Sequence, residues 1–250
     1  YCDNVDYDRL LATDIEKVKS FFVDNPDLVF LDNKNWGYAS SYVSRVSYSS
    51  WKDQPKYWVL HIARSGTTFV ESLLEPRRTK HRHHVGLVPD INFLKIYKDC
   101  KANPDVHIVF VYRPEMWETL TSTILAEANG YHHHRSFDWS AAKPVTIAVE
   151  SMERFYWMVV STFSFWCNLR SMLPDHSFSL LNGTEMFQRY ENFTEHGPVN
   201  YDKKILITNY DSAKDLWHRL YANKLNQVVL NSVNHLKTMK CQTDMDWLFS

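Results

Sequence analysis

The feature that most constrains this chain is the direct succession of strand, short loop and helix between Trp58 and Leu74. Tyr57–Ile62 is an unbroken β-prone run, the pattern of a strand covered on both faces. A turn of mostly small residues, Ala63–Thr67, follows at once. Phe69, Val70, Leu73 and Leu74 then recur at helical spacing until Pro76, whose missing N–H and fixed φ end the helix.

The same order returns along the chain. His107–Tyr112 is a second buried-type strand, broken by Arg113 and Pro114 and followed by a helical pattern over Glu115–Leu125 with Pro at its start. Phe178–Leu181 reads as a strand, with a helix from Thr184 to Tyr190. Lys204–Thr208 is another β-prone run, followed by a largely helical Ser212–His235. Between these units Val149–Leu173 carries Met152, Phe155, Val159, Phe163, Trp166, Leu169 and Leu173 at a 3.6-residue period, and Pro174 closes it. Core packing explains most of that helix's aromatics. Toward the N-terminus a helix is expected around Asp14–Phe22, a short strand at Leu28–Leu31 and irregular chain over Asn33–Gln54; Ala128–Pro144, with His132, His133, His134 and Arg135, reads as a loop. Repeated strand–helix units imply an α/β domain with a central parallel sheet flanked by helices, and ligand sites at the carboxyl ends of its strands. At 250 residues with no internal repeat or low-complexity linker, residues 1–250 form one such domain.

Charge and cysteine content exclude several classes. A formal net charge of −1 carries no global signature of nucleic-acid or acidic-membrane binding, although a local basic site remains compatible with it. Cys2, Cys100, Cys167 and Cys241 are widely spaced with no CxxC pair, which argues against a zinc cluster and for buried free thiols. No window approaches 18 consecutive apolar residues, so no transmembrane helix is expected. The expectation is a soluble, cytoplasmic protein, with a leader or anchor ahead of Tyr1 left open. Asn182 and Asn192 begin glycosylation sequons, a pattern too frequent by chance to fix a compartment.

The chemistry concentrates in Ala63, Arg64, Ser65, Gly66, Thr67 and Thr68. A loop from a buried strand to a helix N-terminus presents free backbone N–H groups, which with the helix dipole form an anion site. Gly66 lets the backbone approach the anion. Ser65, Thr67 and Thr68 supply hydroxyls, and Arg64 supplies a permanent charge with forked donors. The Walker pattern GxxxxGK[ST] is absent, since no Lys follows Gly66, and this weakens an ATPase or GTPase reading.

His61, Ile62, Ala63, Arg64, Ser65, Gly66, Thr67, Thr68 and Phe69 resemble the 5′-phosphosulfate loop of the sulfotransferases, in the arginine form closest to the tyrosylprotein and bacterial branches. Ala63 stands where Pro is common. The resemblance implies a P-loop-like three-layer fold and 3′-phosphoadenosine 5′-phosphosulfate as donor, with no metal. The family's second signature is an Arg after a strand and a Ser eight residues on, which grip the donor's 3′-phosphate. Here Arg113 follows the strand and Thr121 lies eight residues on, with Ser122 a competitor because Pro114 sits one place early. An Arg at a strand end and a hydroxyl on the next helix can meet one phosphate from two sides; the structural alternative is an Arg113 pair with Glu115 or Glu118. The two signatures cover about a quarter of the chain, and the family's C-terminal Arg-Lys-Gly contact is absent.

In-line transfer of a sulfuryl group needs a base for the acceptor and cations on the leaving group. Arg64 resembles the residue that serves the leaving group. The family's base is a His or Glu between the two signatures, where Lys80, His81, Arg82, His83 and His84 lie. Read as a strand, His81 and His83 face one way and His84 the other. His84 or His83 is the expected base, with Glu71 and Asp90 as fallbacks. The acceptor is a small-molecule, carbohydrate or peptide hydroxyl or amine. The competing readings are a nucleotide or small-molecule kinase with an atypical phosphate loop and a non-catalytic nucleotide-binding relative.

Overall fold

Strands and helices alternate in the computed structural model, which describes residues 56–62, 64–66, 69–70, 73–74, 79–82, 100–129, 141–189 and 202–248. The expectations placed on Asp14–Phe22, Leu28–Leu31, Asn33–Gln54 and His132–Arg135 lie outside those residues, as does Cys2.

Strands β1 (Tyr57–His61), β2 (Thr79–Arg82), β3 (His107–Tyr112) and β4 (Phe178–Asn182) form one sheet in the order β2-β1-β3-β4. All pairings are parallel. His61 lies opposite Val111, and Tyr112 opposite Asn182, so the loops leaving β1, β3 and β4 emerge at one edge. The order reverses between β1 and β3, because β1 has its sequence neighbour β2 on one side and β3 on the other. In an open α/β sheet that reversal opens a crevice beyond the carboxyl ends of the two strands.

Alternation along the strands divides the core into two. Trp58, Leu60, Ile108, Phe110, Phe178 and Leu180 belong to a large cluster on one face. Helices α1 (Met116–Ala128) and α2 (Val149–Met172) contribute to it, and the Trp166 ring of α2 stacks on Phe110 with centroids 4.9 Å apart. Phe155, Phe163, Phe165 and Trp166 are all buried, which agrees with their reading as core. Val59, Val109, Val111 and Leu181 point to the other face, against Phe69, Val70, Leu74 and Met186. The helical turn after β1 and helix α3 (Gly183–Arg189) therefore lie on this second face, opposite α1 and α2.

One expectation fails. Lys204–Thr208 is not a strand. Lys203–Leu206 forms a single helical turn, α4, capped by Asp202, whose carboxylate accepts the Lys204 N–H at 2.9 Å. Only Ile207 keeps a β-bridge, to Val145. A local side chain–backbone bond here overrides the β preference of the run. Helix α5 (Tyr210–Trp217), a π-helical turn at His218–Ala222 and helix α6 (Asn223–Thr238) follow. Leu225, Val229, Val233 and Leu236 give α6 its buried stripe. Cys100, Cys167 and Cys241 are buried free thiols, as expected. Among the described residues no helix is long and apolar enough to cross a membrane.

Candidate anion-binding site

The loop after β1 is fixed to β3 before it reaches the helix. The Val111 carbonyl accepts from the Ile62 N–H at 3.2 Å and from the Ser65 hydroxyl at 3.1 Å. The Ser65 N–H turns back to the Ile62 carbonyl at 3.2 Å. Ser65 is wholly buried, so the hydroxyl expected to serve an anion is a peg that holds the loop on the sheet. Between these anchors Arg64 takes a left-handed conformation, φ 65°. That conformation is disfavoured for a residue with a Cβ, by roughly 1–2 kcal/mol. The Gly66 carbonyl then accepts from Phe69 and Val70, which starts the helix.

Gly66 has φ 98°, and a Cβ there would press on Phe187 at 2.9 Å and Met186 at 3.0 Å. The positive φ alone calls for glycine here, and the tips of Phe187 and Met186 on α3 add to the crowding a side chain would meet. Gly183 matters equally and went unread. A Cβ at Gly183 would collide with the backbone carbonyl of Ser65 and lie 3.1 Å from Cγ of Arg113. The ends of β1, β3 and β4 thus meet around one glycine, with the Arg64 loop on one side and Arg113 on the other. Asn182 shapes this corner by accepting the Thr184 N–H at 3.0 Å and donating to Glu185 at 2.9 Å, a variant of the capping box.

Arg113 is partly exposed and its Nε lies 3.8 Å from Glu115 Oε2, a long pairing that leaves most of the guanidinium fork open to another acceptor. Glu115 Oε2 in turn accepts from the Thr184 hydroxyl at 2.5 Å. Glu118, the other carboxylate considered for Arg113, pairs instead with Lys203, whose Nζ lies 2.6 Å from Oε2 and 2.9 Å from the Glu118 carbonyl. Burial lowers the Lys203 pKa from its ordinary value, Glu118 raises it, and the positive charges of Arg113 and Arg64 lower it again. The Tyr112 phenol, at the end of β3, is pushed up to about 12 by burial and by the charges of Glu185 and Glu115.

The two candidate hydroxyls on α1 differ. Thr121 is fully buried and donates to the Trp117 and Glu118 carbonyls at 3.0 and 3.1 Å, so it faces its own helix. Ser122 is 8% exposed and its hydroxyl has no partner among the described residues. Thr67, Thr68, Glu71, His83, His84 and Asp90 lie outside the described residues. Among the described residues no cluster of His, Cys, Asp and Glu could hold a metal.

The structure thus brings Arg64, Ser65, Gly66 and Arg113 together at the sheet's switch point. Lys203, which the sequence reading did not single out, pairs with Glu118 on α1. Lys203 immediately precedes a run read as a strand, far along the chain, and only the docking of α4 on α1 makes its contact with Glu118 visible. No protein-family model, curated protein or solved structure matches the chain.

Proposed function

We propose that this chain is a sulfotransferase that binds 3′-phosphoadenosine 5′-phosphosulfate in a P-loop-like crevice. It would move the sulfuryl group to a hydroxyl or amine acceptor by in-line displacement. The observation that carries this reading is the meeting of the loop that holds Arg64, at the Ser65 carbonyl, with the Arg113 side chain around Gly183, beyond the carboxyl ends of two adjacent parallel strands. Two arginines on separate loops at one edge of the sheet suit a ligand with separated anionic groups. Arg64, on the strained loop, serves the phosphosulfate and stabilises charge on the leaving group. Gly66 belongs to the same cradle, to which the sequence pattern assigns the Thr67 and Thr68 hydroxyls, while Ser65 holds it in place. Arg113 takes the 3′-phosphate, with Ser122 the better placed hydroxyl and Thr121 a positioning residue. Strand β2 ends at Arg82 on the same edge of the sheet, and His83 and His84 follow it directly. That order supports their assignment as base for the acceptor.

The kinase reading is favoured by one feature, the Glu115 carboxylate beside Arg113, because phosphoryl transfer uses carboxylates to hold magnesium. Calorimetry separates the two. The full chain is titrated with 3′-phosphoadenosine 5′-phosphate and with ATP, each with and without magnesium. The expected result is tighter binding of 3′-phosphoadenosine 5′-phosphate, independent of magnesium. Arg113→Ala weakens that ligand far more than adenosine 5′-phosphosulfate, which lacks the 3′-phosphate. A preference for ATP with magnesium, or binding of neither nucleotide, overturns the reading.

A further inference from the structure

We propose that Thr184, the second residue of α3, is a positioning residue: it holds the Glu115 carboxylate off Arg113 and so keeps that guanidinium available to a ligand. The inference rests on the donor reading above and adds to it a residue from outside both signature loops. One oxygen, Glu115 Oε2, stands between two neighbours. The Thr184 hydroxyl donates to it at 2.5 Å, while Arg113 Nε lies 3.8 Å away. The first contact is a hydrogen bond to a charged acceptor, and the second is beyond hydrogen-bond range. Arg113 Nε is itself enclosed and has no hydrogen-bond partner among the described residues.

The surroundings keep this arrangement in place. The Thr184 N–H donates to Asn182 Oδ1 at 3.0 Å, and the Asn182 amide donates to Glu185 at 2.9 Å, so the start of α3 is braced from within. The Arg113 stem passes so close to Gly183 that a Cβ there would lie 3.1 Å from Cγ. Arg113 and Glu115 are two residues apart on one strand–helix connection, and about 1 Å of movement would join them in a charge-assisted pair. The Thr184 hydroxyl holds the oxygen that would make that movement. The result is an enclosed guanidinium N–H left unbonded, which is costly unless some other group accepts from it. A ligand anion at Arg113 supplies that acceptor, and Thr184 keeps Glu115 from taking its place.

Three variants of the full chain separate this role from a structural one: Thr184→Val, Thr184→Ser and Thr184→Val combined with Glu115→Gln. Each is titrated calorimetrically with 3′-phosphoadenosine 5′-phosphate and with adenosine 5′-phosphosulfate, and each is melted without ligand. Thr184→Val removes the hydroxyl and keeps the shape, so Glu115 closes on Arg113 and competes with the 3′-phosphate. It is expected to bind the bisphosphate about tenfold more weakly and adenosine 5′-phosphosulfate as before. Thr184→Ser keeps the hydroxyl and is expected to bind like the unaltered chain. Adding Glu115→Gln to Thr184→Val removes the competing charge and is expected to restore affinity. A merely structural threonine predicts otherwise: Thr184→Val weakens both nucleotides equally, in step with its melting temperature, and the second substitution restores nothing. That result, or unchanged affinity in Thr184→Val, overturns the proposal. Heteronuclear NMR of the arginine Nε–H groups reads the contact without ligand, with Arg113→Lys identifying the signal. Thr184→Val should move the Arg113 signal and Glu115→Gln should cancel the movement; an unmoved signal overturns the proposal whatever the nucleotides do. If the signal behaves as expected and the unaltered chain binds neither nucleotide, Thr184 keeps its hold on Glu115 and the donor reading fails.

Discussion

At the scale of single residues, the crevice is governed by what cannot be added to it. Gly183 packs face to face with the Ser65 carbonyl, and both atoms belong to backbone held by the sheet, so neither has a side chain's freedom to turn aside. Overpacking of a closed site costs about 1–3 kcal/mol, and this one lies at the upper end because the collision is with main chain. Gly183→Ala is expected to lower stability by about 2–3 kcal/mol. Ser65→Ala removes one buried hydrogen bond to Val111 and is expected to lower it by about 1 kcal/mol. Urea unfolding monitored by tryptophan fluorescence ranks the two. If Gly183→Ala unfolds at the same urea concentration as the unaltered chain, the close approach of β4 to the Arg64 loop is wrong. The comparison also separates what residue types reveal from what they conceal. Arg113 was legible because it directly follows a buried strand, and Arg64 because it lies in the short turn after one, where a charged side chain has only the sheet edge to occupy. The destinations of the Ser65 and Thr121 hydroxyls were not legible, because a hydroxyl's partner depends on a carbonyl one strand or one helical turn away.

At the scale of elements, strands and helices of strong periodicity were read to within a few residues, and Val149–Leu173 differs from the observed α2 only at its last position. Lys204–Thr208 failed because intrinsic preference is weak in a run of five, and one capping carboxylate from Asp202 outweighed it. The opposite edge of the sheet holds a feature the sequence did not single out. His107, at the start of β3, lies with its ring 4.7 Å from that of Trp247, and its Nε2 is 2.9 Å from Ser179 Oγ. Burial pushes its pKa down from 6.5 to about 4. The native state thus keeps the imidazole neutral in a range where the unfolded chain protonates it. A group with a depressed native pKa contributes stability that is present above the unfolded value and lost as pH falls through the native one. His107 therefore weakens the fold between pH 6.5 and about 4. At pH 5 the loss is about 1 kcal/mol after allowance for the ring's partial exposure. His107→Gln keeps a polar partner for Ser179 and does not titrate. Unfolding free energies at pH 7.5 and pH 5 should fall by about 1 kcal/mol more in the unaltered chain than in the variant. Equal losses would show that His107 is not a source of acid sensitivity.

At the scale of the whole molecule, the site is a product of topology. The reversal of strand order between β1 and β3 sends the turn after β1 to one face of the sheet and α1 to the other, and the crevice is the gap they leave. Its parts come from the ends of β1, β3 and β4, which span Arg64 to Gly183. No single segment of the chain contains the site, so sequence patterns reported its first half and stopped. The same dispersion has a thermodynamic consequence. A ligand gripped by groups from several elements binds the native state and has no counterpart in the unfolded chain, so its whole binding free energy is added to stability. At one hundred times the dissociation constant this is about 2.7 kcal/mol, and in a chain of this size each kcal/mol raises the melting temperature by about 2–4 °C. Saturating 3′-phosphoadenosine 5′-phosphate should therefore raise the midpoint by about 5–10 °C. Adenosine, which offers the arginines no anion, should leave it within about 1 °C under the same conditions. Arg113→Ala should remove most of the shift, since it deletes one of the groups that join the elements through the ligand. Differential scanning fluorimetry with the three conditions side by side makes the comparison. A shift from adenosine equal to that from the bisphosphate would mean that the base and ribose, rather than the anionic ends, carry recognition, and would take the site away from the arginines that define it.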